Sequence, residues 1–195
     1  MSLWGATDSD ESKPKNLTTA EKKQVFANSS GWVLEAGSSL SGNDNTSATP
    51  EVLVAIGGLA TSIGAADVTE VEWITTAADK SAGFTLSVRV RYNEAVTVTG
   101  SPTIAVTNGN QGSGSGRGPH TLVYASGTGT NELIFNLAIA AANAATNADD
   151  VLVVGAQNIA LAGGTLKDTA DGTTNAAVAI SADQGTACGS ITVVA

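Results

Sequence analysis

The sequence predicts an all-β chain, a two-layer β-sandwich preceded by an extended N-terminal arm that carries one short helix. Three observations predict this class. From residue 51 onward, short runs of alternating apolar and polar residues are separated by Gly, Asn, Asp and Pro. Roughly nine or ten such runs recur at intervals of about 8 to 15 residues, as they do in sandwiches and barrels. Hydrophobic residues make up 42% of the 195 residues, which is enough to bury one core.

Residues 1–50 form the predicted arm and linker, and residues 51–195 form the predicted sandwich. The first segment is polar, and it closes with a Ser-, Gly- and Asn-rich run that ends at Pro50. Within it, Thr18 and Glu21 have the spacing of a capping box, in which each side chain satisfies the other residue's free amide. We expect about two helical turns over residues 22–27 after this box, and a short strand over residues 32–34.

Three of the chain's aromatic residues lie in this polar arm: Trp4, Phe26 and Trp32. Large rings in a polar segment are typical of anchors that dock against a partner. The sequence therefore makes these three residues the candidate partner-binding residues. The alternative, that the rings fold back onto the chain's own core, stays equally open.

The clearest strand covers residues 85–92. Alternation places four apolar side chains on its inner face: Leu86, Val88, Val90 and Tyr92. Ser87, Arg89 and Arg91 fall on the other face, which we expect to be wet. The same alternation predicts further strands around these pairs: Val71 and Trp73, Val96 and Val98, Ile104 and Val106, Leu122 and Tyr124, Leu133 and Phe135, Leu152 and Val154, Ile159 and Leu161, Val178 and Ile180, Ile191 and Val193.

The composition also raises two other possible structures, a helix in an alanine-rich run and a β-solenoid. The alanine-rich run 140–145 is too short for an independent helix, so it predicts a crossover with at most one helical turn. The content of Gly, Ala and Thr also suits a β-solenoid, but no fixed period is present in the sequence. A sandwich is therefore the expected architecture.

The charge balance excludes several partner classes. The formal net charge is −9, and the nine Lys and Arg residues are scattered, which argues against binding to a nucleic-acid backbone. No apolar run approaches the roughly 18 residues of a membrane span, so no membrane partner is expected. The N-terminus leads into Asp8, Asp10 and Glu11 instead of an apolar signal segment, so we expect no Sec export.

The sequence contains few candidate catalytic residues. His120 is the only histidine and Cys188 the only cysteine, so a triad or a multi-cysteine zinc site lacks its partners. We expect His120 in a loop or at a strand entry, and Cys188 as a small, half-buried strand residue. The glycine-rich run 112–118 lacks the lysine of a phosphate-binding loop and predicts a flexible hairpin loop.

Acidic pairs occur at residues 149–150 and at Asp168 with Asp171. Such pairs bind Ca²⁺ in some proteins, but an Asp beside Thr and Gly is more often a turn former. The expectation is a chain with no metal, no cofactor and no enzymatic activity.

Three motifs resemble, in order, those of bacterial Ig-like repeat domains from large surface proteins. They are residues 92–104 (YNEAVTVTGSPTI), 124–135 (YASGTGTNELIF) and 158–168 (NIALAGGTLKD). The resemblance covers about residues 68–182 and implies a Greek-key sandwich that serves as a spacer or binding module without catalysis. This chain departs from the family in carrying one copy, and in the long, glycine-rich loop between Asn108 and Pro119.

The beginning of the chain, MSLWGATD followed by ESKPK at residues 11–15, resembles small virion structural proteins of tailed bacteriophages, notably T4-like marine cyanophages. The two resemblances together imply a capsid decoration or cement protein, made in the host cytoplasm and bound to the outer surface of the assembled head. Its partners would be the major capsid protein or other virion proteins, and it would form a homo-oligomer or a symmetric multi-copy array.

Two alternatives stay open at this point. One is a tail, neck or fibre component with the same fold. The other is a carbohydrate-binding or adhesive Ig-like module, in which Trp73 or Tyr124 would stack on sugars. Alternation places both of these rings on inward faces, which favours core roles for them.

Overall fold

The structure is a computed structural model that describes residues 14, 16–28, 31–55, 65–110, 117–141 and 146–195. It is all-β and sandwich-like, which confirms the predicted class. The elements in chain order are α1 (Thr19–Lys22), β1 (Val25–Asn28), β2 (Gly31–Leu34), β3 (Glu51–Ala55), β4 (Val68–Trp73), β5 (Ala78–Asp79), β6 (Phe84–Thr99), β7 (Thr103–Asn110), β8 (Arg117–Ser126), β9 (Thr130–Ile139), β10 (Asp150–Val153), β11 (Gln157–Asn158), β12 (Thr165–Asp168), β13 (Ala179–Ile180), α2 (Ala182–Cys188) and β14 (Ser190–Val194).

The main sheet has nine strands in the order β12-β6-β9-β8-β7-β10-β14-β5, with β4 also paired to β6. Strands β7, β8 and β9 form a meander, and β6 lies beside β9, which is a Greek-key arrangement. The two halves of the long strand β6 pair with different strands. Its residues 84–91 pair with β9, its residues 96–99 pair with β12, and the register shifts between Arg91 and Val96. This bulge lets one strand bend from one layer towards the other.

The core lies on the inner face of β6. Leu86, Val88, Val90 and Tyr92 are all fully buried, as the alternation predicted. They belong to one hydrophobic cluster with residues of other strands, including Leu122, Leu133, Phe135 and Leu152. The Tyr92 hydroxyl donates a hydrogen bond to the Ala177 carbonyl at 2.9 Å, so the one polar group on this face is satisfied.

The capping box in the arm is confirmed, but the helix after it is shorter than predicted. The Thr18 amide donates to Glu21 Oε2 at 2.7 Å, and the Glu21 amide donates to Thr18 Oγ1 at 3.3 Å. Helix α1 ends at Lys22, because residues 25–28 pair with β2 as strand β1. Tertiary pairing of β-branched and aromatic residues outweighs the weak propensity of a two-turn helix here.

The strand predicted at residues 32–34 is confirmed as β2, the central strand of a separate three-stranded sheet in the order β1-β2-β3. We call β1, β2 and β3 the N-terminal sheet. Strand β3 starts at Glu51, where the sequence predicts the start of the sandwich, and it pairs with β2 of the preceding segment. The N-terminal sheet therefore extends across the boundary expected at residue 50.

Helix α2 was not predicted, and the expectation that Cys188 lies in a strand is wrong. Cys188 is the last residue of α2. The signal was in the sequence, because Ser181 and Gln184 form a second capping box, with the Ser181 amide donating to Gln184 Oε1 at 2.7 Å. Gln184 Nε2 also donates to the Val68 carbonyl at 2.6 Å, which fastens the helix to β4.

Gly164, the second of the two adjacent glycines in the 158–168 motif, has a steric role that can be tested. A Cβ at Gly164 would overlap the Thr99 carbonyl oxygen on β6, whereas a Cβ at Gly155 would meet nothing within 4 Å. We expect Gly164→Ala to lower the free energy of unfolding by about 2 to 3 kcal/mol, since overpacking against backbone forces the strands apart. Gly155→Ala is the matched control and should change it by less than about 0.5 kcal/mol. Urea denaturation of both variants measures this, and equal effects of the two substitutions would contradict the steric explanation.

Candidate interaction surface

The outer face of β6 carries a cluster of charged side chains in place of the wet surface expected from alternation. We call it the arginine–glutamate cluster, and its members are Glu35, Glu70, Glu72, Arg89, Arg91 and Glu132. The register of the sheet assembles it. On β4, Glu70 lies opposite Arg91 and Glu72 lies opposite Arg89. On β9, Glu132 lies opposite Arg91. Cross-strand neighbours on one face are close enough for ion pairs.

Arg91 is the centre of this cluster. Its Nε lies 2.9 Å from Glu132 Oε1 and its Nη1 lies 3.3 Å from Glu70 Oε2. Its Nη2 lies 3.0 Å from Glu35 Oε1 and 3.1 Å from Glu72 Oε1. The planar, five-donor guanidinium is suited to several carboxylates at once, which a lysine could not match.

Arg89 extends the cluster towards solvent. Its Nη2 lies 2.5 Å from Glu35 Oε1, its Nε 2.6 Å from Glu72 Oε1, and its Nη1 3.3 Å from Glu132 Oε2. Three of the four glutamates thus contact both arginines. With four carboxylates around two guanidinium groups, the cluster carries two more formal negative charges than positive ones.

The expectation of a wet face is wrong for Arg91, whose exposed fraction is 0%. Burial by itself lowers the pKa of a guanidinium, but the carboxylates of Glu72, Glu132 and Glu70 outweigh burial and raise the pKa of Arg91 above its ordinary value. Arg91 therefore stays charged at every accessible pH. A buried permanent charge is stable only while its partners stay in place.

The N-terminal sheet supplies the cover. The guanidinium carbon of Arg91 lies 4.4 Å from the centre of the Phe26 ring, a cation–π contact that is worth about 2 kcal/mol when it is desolvated. Glu35, which directly follows β2, reaches both arginines from the same side. Phe26 and Val33 are paired across β1 and β2, and both are buried. This face of the N-terminal sheet therefore lies against the charged face of β6.

The opposite face of the N-terminal sheet has a small core of its own. Val25, Trp32 and Leu34 are buried together there, and Leu17 packs against them. The structure thus separates two of the candidate anchors, with Phe26 on one face and Trp32 on the other. Their exposed fractions are 1% and 3%, which matches the alternative that these rings fold back onto the chain's own core. The third candidate, Trp4, lies outside the described residues.

Exposed apolar side chains are present instead at Leu40, which is exposed by 38%, and at three consecutive residues of β3. Val52, Leu53 and Val54 are exposed by 47%, 41% and 41%. Strand β3 pairs with β2 along one edge, and within the described residues no strand pairs with its other edge. The signal for this feature was the apolar run directly after Pro50, which the sequence interpretation assigned to the start of the sandwich. An exposed apolar edge is a feature that soluble proteins generally avoid.

A cleft of about 430 Å³ opens where β3 begins. Glu35 and Glu132 line it together with Arg89, and Thr46 and Pro50 of the N-terminal segment line it as well. The cleft therefore joins the solvent-facing part of the arginine–glutamate cluster to the start of the exposed strand.

The chemically reactive side chains lie elsewhere and are held in neutral forms. Burial lowers the pKa of His120, with Asp150 opposing the shift, and its Nε2 lies 3.0 Å from Thr146 Oγ1. His120 lies within β8, beyond the strand entry expected for it. Burial also raises the pKa of the Cys188 thiol to about 12, so almost no thiolate forms at neutral pH.

The acidic pairs act in turns. The Asp171 carboxylate accepts hydrogen bonds from the amides of Thr173 and Thr174, both at 2.8 Å, and bonds to Thr174 lower its pKa to about 2. Asp168 Oδ1 accepts a hydrogen bond from the Ala170 amide at 2.7 Å. In the part of the chain that the structure describes, no three His, Cys, Asp or Glu side chains are grouped as a metal site requires.

The described helices include none that is long and apolar enough to cross a membrane. Comparisons with protein-family models, with curated proteins and with solved structures find no match for this chain. The resemblances to Ig-like repeat domains and to virion proteins accordingly stay hypotheses that rest on their sequence motifs.

The role of Arg91 as the junction between the two sheets can be tested by substitution. We expect Arg91→Met to lower the free energy of unfolding by about 3 kcal/mol, because it leaves buried carboxylates without their counter-charge. Arg89→Met is the matched control on the same strand face, and we expect a loss of about 1 kcal/mol because solvent reaches that side chain. Urea denaturation measures both, and a loss at Arg91 no larger than that at Arg89 would contradict the assigned role.

Proposed function

We propose that this chain is a non-catalytic attachment module of a phage virion, specifically a capsid decoration protein bound to the outer surface of the assembled head. The observation that carries the proposal is strand β3. It presents three apolar side chains, each more than 40% exposed, on a sheet edge that no described strand covers. An exposed patch of this kind marks an interaction site in a soluble protein.

The resemblance of the first residues to virion structural proteins supports the choice of partner. The resemblance of residues 68–182 to Ig-like repeat domains supports the choice of role, because such domains act as spacers and binding modules. Burial keeps the Cys188 thiol protonated at neutral pH, and Nε2 of His120 lies beside the side chains of Thr146 and Asn108, which agrees with a role without chemistry.

The attachment surface in this proposal differs from the one that the sequence favours. Phe26 and Trp32 act within the chain, where they place the N-terminal sheet on the sandwich. That sheet then presents β3 to the capsid. The sandwich, with its net negative charge, would face solvent and keep free copies apart before assembly.

Decoration of this kind stabilises the shell by mass action. A protein that binds the assembled lattice and not its free subunits shifts the equilibrium towards the lattice. The partners in the proposal are the major capsid protein or neighbouring virion proteins, with many symmetric copies on one head. A tail, neck or fibre location uses the same surface and is separated from the head location by microscopy.

The carbohydrate-binding alternative has less support. Trp73 packs against the core and its Nε1 donates to the Gly189 carbonyl at 3.4 Å. The rings of Tyr124 and Phe135 make an edge-to-face contact, with 6.1 Å between the ring centres. The Tyr124 hydroxyl accepts a hydrogen bond from the Thr128 amide at 2.8 Å. Both rings are therefore engaged in contacts that hold the fold.

Immunogold labelling and cryo-EM of purified virions of the source phage test the proposal. We expect the protein on the head surface in many symmetric copies, since one site repeats on every lattice unit. A few copies on the tail or neck would support the second virion location. Absence of the protein from purified particles would contradict the virion assignment as a whole.

A further inference from the structure

We propose that β3 and the cleft at its start form one docking site for a basic, extended segment of a partner protein. This segment adds to the N-terminal sheet as a fourth strand beside β3 and places a Lys or Arg side chain in the cleft. The inference rests on the proposed function in taking β3 as the attachment surface. It adds the chemistry of the partner and the mode of binding.

The backbone of β3 supports strand addition. Its pairing with β2 uses one edge, and the described chain places no strand on the other edge. The amides and carbonyls of a free edge are the template that β-augmentation uses, with main-chain hydrogen bonds for affinity and alternate side chains for specificity. A partner strand would satisfy these groups.

The side chains of β3 support a partner with apolar residues at alternate positions. Val52 lies opposite Val33 and Val54 lies opposite Trp32, with Leu53 as the extra residue at a register shift between them. The exposed apolar side chains of β3 are therefore divided between the two faces of the sheet. One added strand has side chains on both faces as well. A partner with apolar residues at alternate positions would bury apolar area on one face of β3 and place its remaining side chains on the other face.

The charge of the site points to a basic partner. Residues 31–55 contain Glu35, Asp44 and Glu51 and contain no Lys or Arg. Arg89, the arginine that lines the cleft, is already engaged by Glu35, Glu72 and Glu132. Because Glu35 and Glu132 line the cleft beside this one arginine, its lining carries an excess of negative charge. Glu35 and Glu132 are each partly exposed there, so a cationic side chain has carboxylates to contact.

The same charge argues against a second copy of this chain as the occupant. Each copy carries a net charge of −9, and the charged residues within residues 31–55 are all acidic. Placing two such edges side by side brings like charges together, which is unfavourable. Complementarity therefore selects a partner of opposite charge.

The test uses the full-length chain and synthetic peptides of about eight residues, the length of a common strand. The probe alternates Lys and Val. A matched peptide has Glu in place of Lys, and a third is the Lys–Val peptide with every backbone nitrogen methylated. The protein variants are the combined Val52→Thr, Leu53→Thr and Val54→Thr, and as control the combined Ile74→Thr and Val123→Thr, which removes equally exposed apolar residues elsewhere.

Isothermal titration calorimetry at low salt measures the affinities. We expect the Lys–Val peptide to bind the wild type and the control variant equally. Binding should be at least about tenfold weaker for the Glu peptide, for the methylated peptide and for the β3 variant, because each lacks one element of the site.

Four results would overturn the inference. The first is that the Lys–Val peptide does not bind the wild type. The second and third are that the methylated peptide binds as tightly as the Lys–Val peptide, and that the β3 variant binds the Lys–Val peptide as tightly as the wild type does. The fourth is a wild-type dimer in analytical ultracentrifugation that the β3 substitutions abolish. The last would make a second copy the occupant. Threonine keeps strand propensity, and circular dichroism checks that the variant is folded.

The two proposals fail in distinguishable ways. If the peptides behave as expected but virions lack the protein, the docking chemistry stands and the virion assignment is wrong. If the β3 variant still decorates virions as the wild type does, the virion assignment stands and the docking site is wrong.

Discussion

The position of the N-terminal sheet depends on one buried guanidinium. Arg91 lies on the outer face of β6 with no exposed surface, and a permanent charge that has lost its hydration must be matched by carboxylates. Strands β4 and β9 supply three of the carboxylates. Glu35 and the Phe26 ring supply the fourth carboxylate and the cover, and both belong to the N-terminal segment. A segment that reads as an arm is therefore a third layer of the fold.

That third layer decides which residues are available to a partner. Phe26 contacts Arg91 and Trp32 belongs to the small core on the other face, so these two rings are buried within the chain. Among the described residues of the N-terminal sheet, exposed apolar side chains lie on β3, whose second edge no described strand covers. The arginine–glutamate cluster has a second consequence at this edge. Its excess of carboxylates gives the neighbouring cleft a negative character, and the docking proposal follows from the two features together.

Local patterns in the sequence predicted the parts of the structure that depend on local physics. Alternation gave the buried face of β6 residue by residue, and the spacing of Thr18 and Glu21 gave the first capping box. The alternation of apolar and polar residues could not predict that Arg91 is buried. A period of two residues separates the two faces of a strand, but it does not show whether another layer packs on the polar face. For the same reason the helix expected over residues 22–27 gave way to β1, whose pairing with β2 is a tertiary effect. The exposed edge at β3 is likewise a property of sheet order, which local periodicity does not encode.

A double-mutant cycle between Phe26 and Arg91 tests the central claim most directly. It compares the free energies of unfolding of the wild type, Phe26→Leu, Arg91→Met and the double variant by urea denaturation. If the ring and the guanidinium join the two sheets, the effects are non-additive, with a coupling of about 1 kcal/mol or more. Additive effects, within about 0.5 kcal/mol, would show that the N-terminal sheet is held by other contacts and would contradict the account.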